Sequence, residues 1–199
     1  MKNQIPPQIK GAESIAISKI DLETEQQAIN HFELVKKRFL DVNSWEFFAG
    51  KEKAEFTLHG STGILSLEKP QVGNYISIKI PLLHNPAEDG LDWVQVEVYE
   101  EEIKDHSEEI YMRLRPTSNP TLPSDKITHF LDSDATSNFI IRRENKTISA
   151  EVYARNEIPN TKDKTVLEKI RNKTVALGGM LLGSKIQWEG LTNGLIKGE

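Results

Sequence analysis

"NFIIRRENKTISAEVYARN", residues Asn138 to Asn156, decides the class of fold. Its second half places Ile148, Ala150, Val152 and Ala154 two apart, with polar or aromatic residues between. A period of two is the mark of a strand with one apolar and one wet face. Glu144 to Lys146 form a polar turn between the two arms, so the stretch reads as a β-hairpin. The period recurs along the chain. Ala54, Phe56 and Leu58 form one set, and Ile76, Ile78 and Ile80 another. Val94, Val96 and Val98, then Ile110, Met112 and Leu114, follow. Ile15, Ile17 and Ile20 mark a first strand, and a further one is expected near Gly63 to Leu67. Such alternation predicts an antiparallel sheet with one face to cover.

Two helical stretches precede the sheet. Thr24 and Gln27 make a capping box, and Ala28, Phe32, Val35 and Phe39 follow at helical spacing. "DVNSWEFFAG", Asp41 to Gly50, breaks at Asn43 and starts a second short helix with Ser44 as cap and Gly50 as stop. The cover for the sheet is expected from the C-terminal segment. It is capped by Thr161 or Asp163 and striped by Val166, Ile170, Leu177, Leu181 and Trp188. Its Gly-rich end, "EGLTNGLIKGE", is expected to fray.

The 199 residues suit a single domain, 1–199. Residues 1–11 form an extended tail around Pro6 and Pro7, and 116–138 a long connection in which "PSDKITHFL" predicts a short helix capped by Ser124. The net charge of −5 argues against nucleic-acid binding. No cysteine is present, so disulfide and thiol chemistry are excluded. No apolar run is long enough to span a membrane, and a cytoplasmic protein is expected.

The motifs that invite a catalytic reading do not survive their context. "LGGMLLGSK", Leu177 to Lys185, has glycines at P-loop spacing. The Ser and Lys after Gly183 stand in reversed order, however, and a helical pattern precedes the glycines where a P-loop needs a strand. Gly179 and Gly183 instead share one smooth helical face, which serves close packing or leaves room for a ligand. Asp132, Asp134 and Thr136 match an aspartate phosphatase nucleophile motif, but no downstream Asp pair follows, and a solvated loop is expected. No two of His31, His59, His84, His106 and His129 have zinc spacing, so no metal site is expected. Arg113, Arg115 and Arg142 fall on the predicted wet face.

The order is strand, helices, antiparallel strands, then a C-terminal helix. This order, with the Trp of "DVNSWEFFAG", resembles the helix-grip fold of the START and birch-pollen-allergen-like (SRPBCC) superfamily. The resemblance implies an α+β fold in which a curved antiparallel sheet packs on a long C-terminal helix around an apolar cavity. It also implies hydrophobic small molecules as partners.

The expected function is binding of an apolar small molecule or lipid between sheet and C-terminal helix, with no cofactor. Ile78, Val96, Met112, Ala150, Val152, Gly179, Met180 and Gly183 are the expected lining. The alternatives are a cyclase- or dehydratase-like enzyme using His129 or a loop Tyr as acid/base, and an interaction protein with a solid core. The enzyme reading requires a His or a carboxylate facing the cavity.

Overall fold

The structure is a computed structural model that describes residues 4–49, 54–79, 90–123, 126–160 and 187–198. The period-two stretches form seven strands: β1 (Ala12–Asp21), β2 (Glu55–His59), β3 (Tyr75–Lys79), β4 (Asp92–Lys104), β5 (Ser107–Pro116), β6 (Thr136–Glu144) and β7 (Thr147–Glu157). They make one antiparallel sheet in the order β1-β7-β6-β5-β4-β3-β2. From β2 to β7 each strand pairs with the next, the simplest connection for antiparallel strands. The β6–β7 hairpin turns at Asn145, whose positive φ of 52° suits its Asn. Residues 63–67 contribute only an isolated bridge, His59 to Leu65, and no strand.

β1 and β2 lie at opposite edges, so the chain between them must cross the sheet. That crossing is α1 (Glu25–Leu40), a 3₁₀ turn (Val42–Ser44) and α2 (Trp45–Phe48). Thr24 Oγ1 accepts from the Gln27 amide at 3.2 Å, and Gln27 Oε1 accepts from the Thr24 amide at 3.1 Å, completing the capping box. Ala28, Phe32, Val35 and Phe39 face the sheet. Ser44 donates to Asp41 at 2.7 Å instead of capping α2. Asn43 ties the turn to β2: its side chain accepts from the Leu58 amide at 2.8 Å and donates to the Ser66 carbonyl at 2.9 Å.

Residues 187–196 are helical and form α3. The expected start of the C-terminal helix, Gly50 and Ile80 lie outside the described residues. The segment expected to fray is instead anchored. A β-carbon on Gly190 or Gly194 would stand 2.2 Å from the carbonyl oxygens of Ala49 and Phe48, so these glycines let α3 lie directly on the end of α2. Arg38 donates to the carbonyls of Leu195 and Lys197 at 3.2 and 2.6 Å, which satisfies the helix C-terminus from α1. Ser18 and Thr192 hydroxyls meet at 2.9 Å and join α3 to β1.

The inner face of the sheet and the three helices enclose the core. Trp45 sits at its centre, with Phe39, Phe56 and Phe139 at ring separations of 5.9, 5.4 and 5.1 Å. Its indole N–H donates to the Phe39 carbonyl at 2.9 Å, so this large side chain buries no unmet donor. Trp188 of α3 meets Phe139 edge-on at 5.3 Å.

The outer face is not simply wet. Residues 4–11 run across it, tied to Tyr111 and Arg113 of β5 through the Gln4 carbonyl and to Asn156 of β7 through the amides of Ile9 and Lys10. Beneath this arm Tyr111 donates to Asn138 at 2.7 Å. Glu151 accepts from Ser149 and Tyr153, and Arg142 pairs with Glu109. The arginines predicted to be solvated are thus held in ion pairs: Arg113 and Arg115 both reach Glu97. No helix among the described residues is long and apolar enough to cross a membrane.

Candidate functional site

One end of the inner face closes on a void of about 40 Å³. β3, β4 and β5 supply Ile78, Val94 and Leu114, and β6 supplies Ser137. His129, Phe130 and Leu131 close it from the connection between β5 and β6. Glu157 ends β7, and Gln187 and Trp188 begin the described part of α3.

The expected helix in the β5–β6 connection is absent from its described residues, 126–131, which form a strap. Backbone bonds explain why. The Trp93 amide donates to Thr128, the Thr128 amide to Thr117, the Asn160 amide to Phe130 and the Asp132 amide to Ile158, all at 2.8–2.9 Å. Asp92 accepts from the Phe130 amide at 3.0 Å, and Asn160 donates to the carbonyls of Ile127 and His129 at 3.2 Å. Partners on three neighbouring segments satisfy the groups that a helix would pair internally.

This strap fixes His129. Its Nδ1 accepts from the Leu131 amide at 2.9 Å, and its ring stacks on Phe130 with centroids 4.5 Å apart. A neutral ring that accepts at Nδ1 carries its proton on Nε2. Burial pushes its pKa down to about 3, so the ring stays neutral at physiological pH.

Two polar groups on the same void are unmet. Glu157 is only 4% exposed, and its Oε2 has no hydrogen-bond partner among the described residues. Burial raises its pKa to about 7. Gln187 is 8% exposed, and its Nε2 has no such partner. Each orphaned group costs about 1–3 kcal/mol. A water needs roughly 10–15 Å³ of such space, so the void has room for a few atoms.

Of the residues expected to line a cavity, Ile78 borders this void. Val96, Met112, Ala150 and Val152 lie in the packed core behind it and are not among its lining residues. Gly179, Met180 and Gly183 lie outside the described residues. His129, named as an acid/base, is at the void. Glu157 and Gln187 were not legible beforehand: each is a lone polar residue in no motif, and nothing local marks it as buried.

The other chemical groupings have structural roles. His59 Nε2 meets Ser77 Oγ at 2.9 Å, while its Nδ1 bonds the Gly63 carbonyl at 3.0 Å, where a triad has a carboxylate. The pair pins the Gly63 loop to β3. Asp132 and Asp134 form a turn, with the Asp134 amide donating to Asp132 at 2.9 Å and Lys10 of the arm pairing with Asp134. Among the described residues no group of three His, Asp or Glu side chains is placed to hold a metal ion.

No protein-family model and no curated relative matches the sequence. Among solved structures, a hypothetical protein from Helicobacter pylori is similar over 92% of this chain and 87% of its own, at 14% identity and a TM-score of 0.51. That likeness is one of fold. A truncated norcoclaurine synthase from Thalictrum flavum aligns over 98% of this chain and 100% of its own, at 7% identity and a TM-score of 0.31.

Proposed function

We propose that this chain binds an apolar small molecule between the sheet and the C-terminal helix, with Glu157 and Gln187 as its polar anchors. The supporting observation is the pair of unmet groups, Glu157 Oε2 and Gln187 Nε2, in residues that line one void. Binding sites combine an apolar wall with a few polar groups that fix orientation. Here the wall is Ile78, Val94, Leu114, Leu131 and Trp188. Val96 and Met112 continue the faces of β4 and β5 into the core, which Ala150 and Val152 of β7 also join. Native mass spectrometry of the purified protein tests the reading, with displacement of a hydrophobic dye as its second arm. A retained small molecule, or dye displaced from the wild type and not from a Leu114→Trp variant, supports it. A protein that retains nothing and never binds dye removes it and favours an interaction protein.

A second reading rests on Glu157 itself. A carboxyl group that titrates near neutrality inside a pocket is poised to give or take a proton. In this reading the chain transforms its ligand, with Glu157 as acid/base and the neutral His129 as hydrogen-bond donor through Nε2. Turnover of the retained ligand by the wild type and not by Glu157→Gln separates an enzyme from a carrier.

A further inference from the structure

We infer that the ligand presents to this void a neutral head group with both a hydrogen-bond donor and an acceptor, a carboxamide or a hydroxyl, held between Glu157 and Gln187. The inference rests on the ligand-binding reading above and adds the chemistry of the head. Glu157 Oε2 offers an acceptor and Gln187 Nε2 a donor, and neither has a partner among the described residues. One group that donates to the first and accepts from the second satisfies both.

The described lining disfavours charged heads. Among the described residues, the titratable side chains lining the void are Glu157 and His129, and Ile78, Val94, Leu114, Phe130, Leu131 and Trp188 are apolar. A carboxylate would repel Glu157 whenever that group is ionised, and no described lining residue offers a cation to offset it. An ammonium would satisfy Glu157, but it has no acceptor for the Gln187 N–H. His129 adds no positive charge, since the Leu131 amide occupies Nδ1 and the ring is neutral. A neutral head of one to three heavy atoms suits a void of about 40 Å³.

A set of four-carbon probes tests this: butyramide, 1-butanol, butyrate, butylammonium and, as the headless control, 1-chlorobutane. The readout at pH 7 is the Trp188 indole N–H signal in ¹⁵N NMR spectra, assigned with Trp188→Phe, because Trp188 borders the void. Butyramide and butanol should bind at least about tenfold more tightly than butyrate, butylammonium and chlorobutane, a difference of about 1.4 kcal/mol. Glu157→Leu should abolish that preference while chlorobutane binding persists. Gln187→Leu, at the helix start, is a second variant expected to do the same. Equal binding of amide, alcohol and chlorobutane overturns the inference and leaves an apolar site. A preference for butyrate or butylammonium overturns it as well. If no probe moves the signal, the void holds only water and the inference fails. In that case dye displacement and retained ligand still decide the broader reading on their own.

Discussion

Two regions of the core share Trp188 and differ in how they treat polar atoms. Around Trp45, four aromatic rings pack within 5–6 Å and the single buried indole donor finds the Phe39 carbonyl. A few residues away, the void keeps a carboxyl oxygen and an amide nitrogen unmet. Close packing costs nothing further once it is made, whereas an orphaned buried group costs stability continuously. The contrast teaches that the first region holds the fold together and that the second is where the fold gives up stability.

The largest effect expected from this comparison is at Trp45. Trp45→Ala empties the centre of the aromatic cluster and should cost about 3–5 kcal/mol in urea unfolding. A loss below about 1 kcal/mol would mean that the cluster is not the keystone of the core.

Next comes the pH response of the void. Burial holds Glu157 at about 7 against an ordinary 4.5, so the folded chain keeps a proton that the unfolded chain releases. Its contribution is full below about pH 4.5 and is lost as pH rises to about 7, by roughly 3 kcal/mol. His129 acts in the opposite sense. Its folded value of about 3 lies below the ordinary 6.5, so stability is lost as pH falls from 6.5 towards 3. Because the two oppose each other, the measurement is the difference between wild type and Glu157→Gln across pH 4.5–7. That difference should fall by roughly 3 kcal/mol; a flat difference would show Glu157 to be solvated.

A smaller cost is expected where α3 meets α2. Gly194→Ala raises helix propensity by about 1 kcal/mol but pushes a methyl into the Phe48 carbonyl. Overpacking of about 1–3 kcal/mol should dominate, and thermal unfolding should show a lower midpoint. A raised midpoint would mean that α3 stands off from α2. The smallest effect has the opposite sign. Gln187→Leu removes an orphaned donor and should be neutral or stabilising by up to about 1 kcal/mol, read by denaturant titration. A clear loss of stability would show that the donor is already satisfied.

The strand faces were legible from β2 to β7, while in β1 the expected Ile15 and Ile17 face outward and Ala16 is buried. Ile76 and Ile78, Val94 and Val96, Ile110 to Leu114 and Ile148 to Ala154 all turn inward as the alternation requires. The alternation failed where the backbone slips. A register shift between Val96 and Val98 turns Val98 out of step with its predecessors. The glycines of "EGLTNGLIKGE" read as fraying because local propensity cannot see a distant carbonyl that only a glycine can approach. Arg113 and Arg142 read as solvated because nothing local reveals the arm and the acidic partners that cover them. At the site, His129 was named, while Glu157 and Gln187 were hidden for the same reason: their burial comes from segments remote in sequence.

The contact of α3 with α2 has a consequence for biogenesis. Gly190 and Gly194 meet Ala49 and Phe48, far back along the chain, so this closure is among the most non-local of the described contacts. Contacts so far apart form late, because loop entropy must be lost before they add any stability. On the ribosome the sheet emerges strand by strand, while the rings of Phe56 and Phe139 still lack Trp188. A chain stalled before residue 187 lacks the Trp188 ring that packs on Phe56 and Phe139, and partly formed cores of this kind are prone to aggregate.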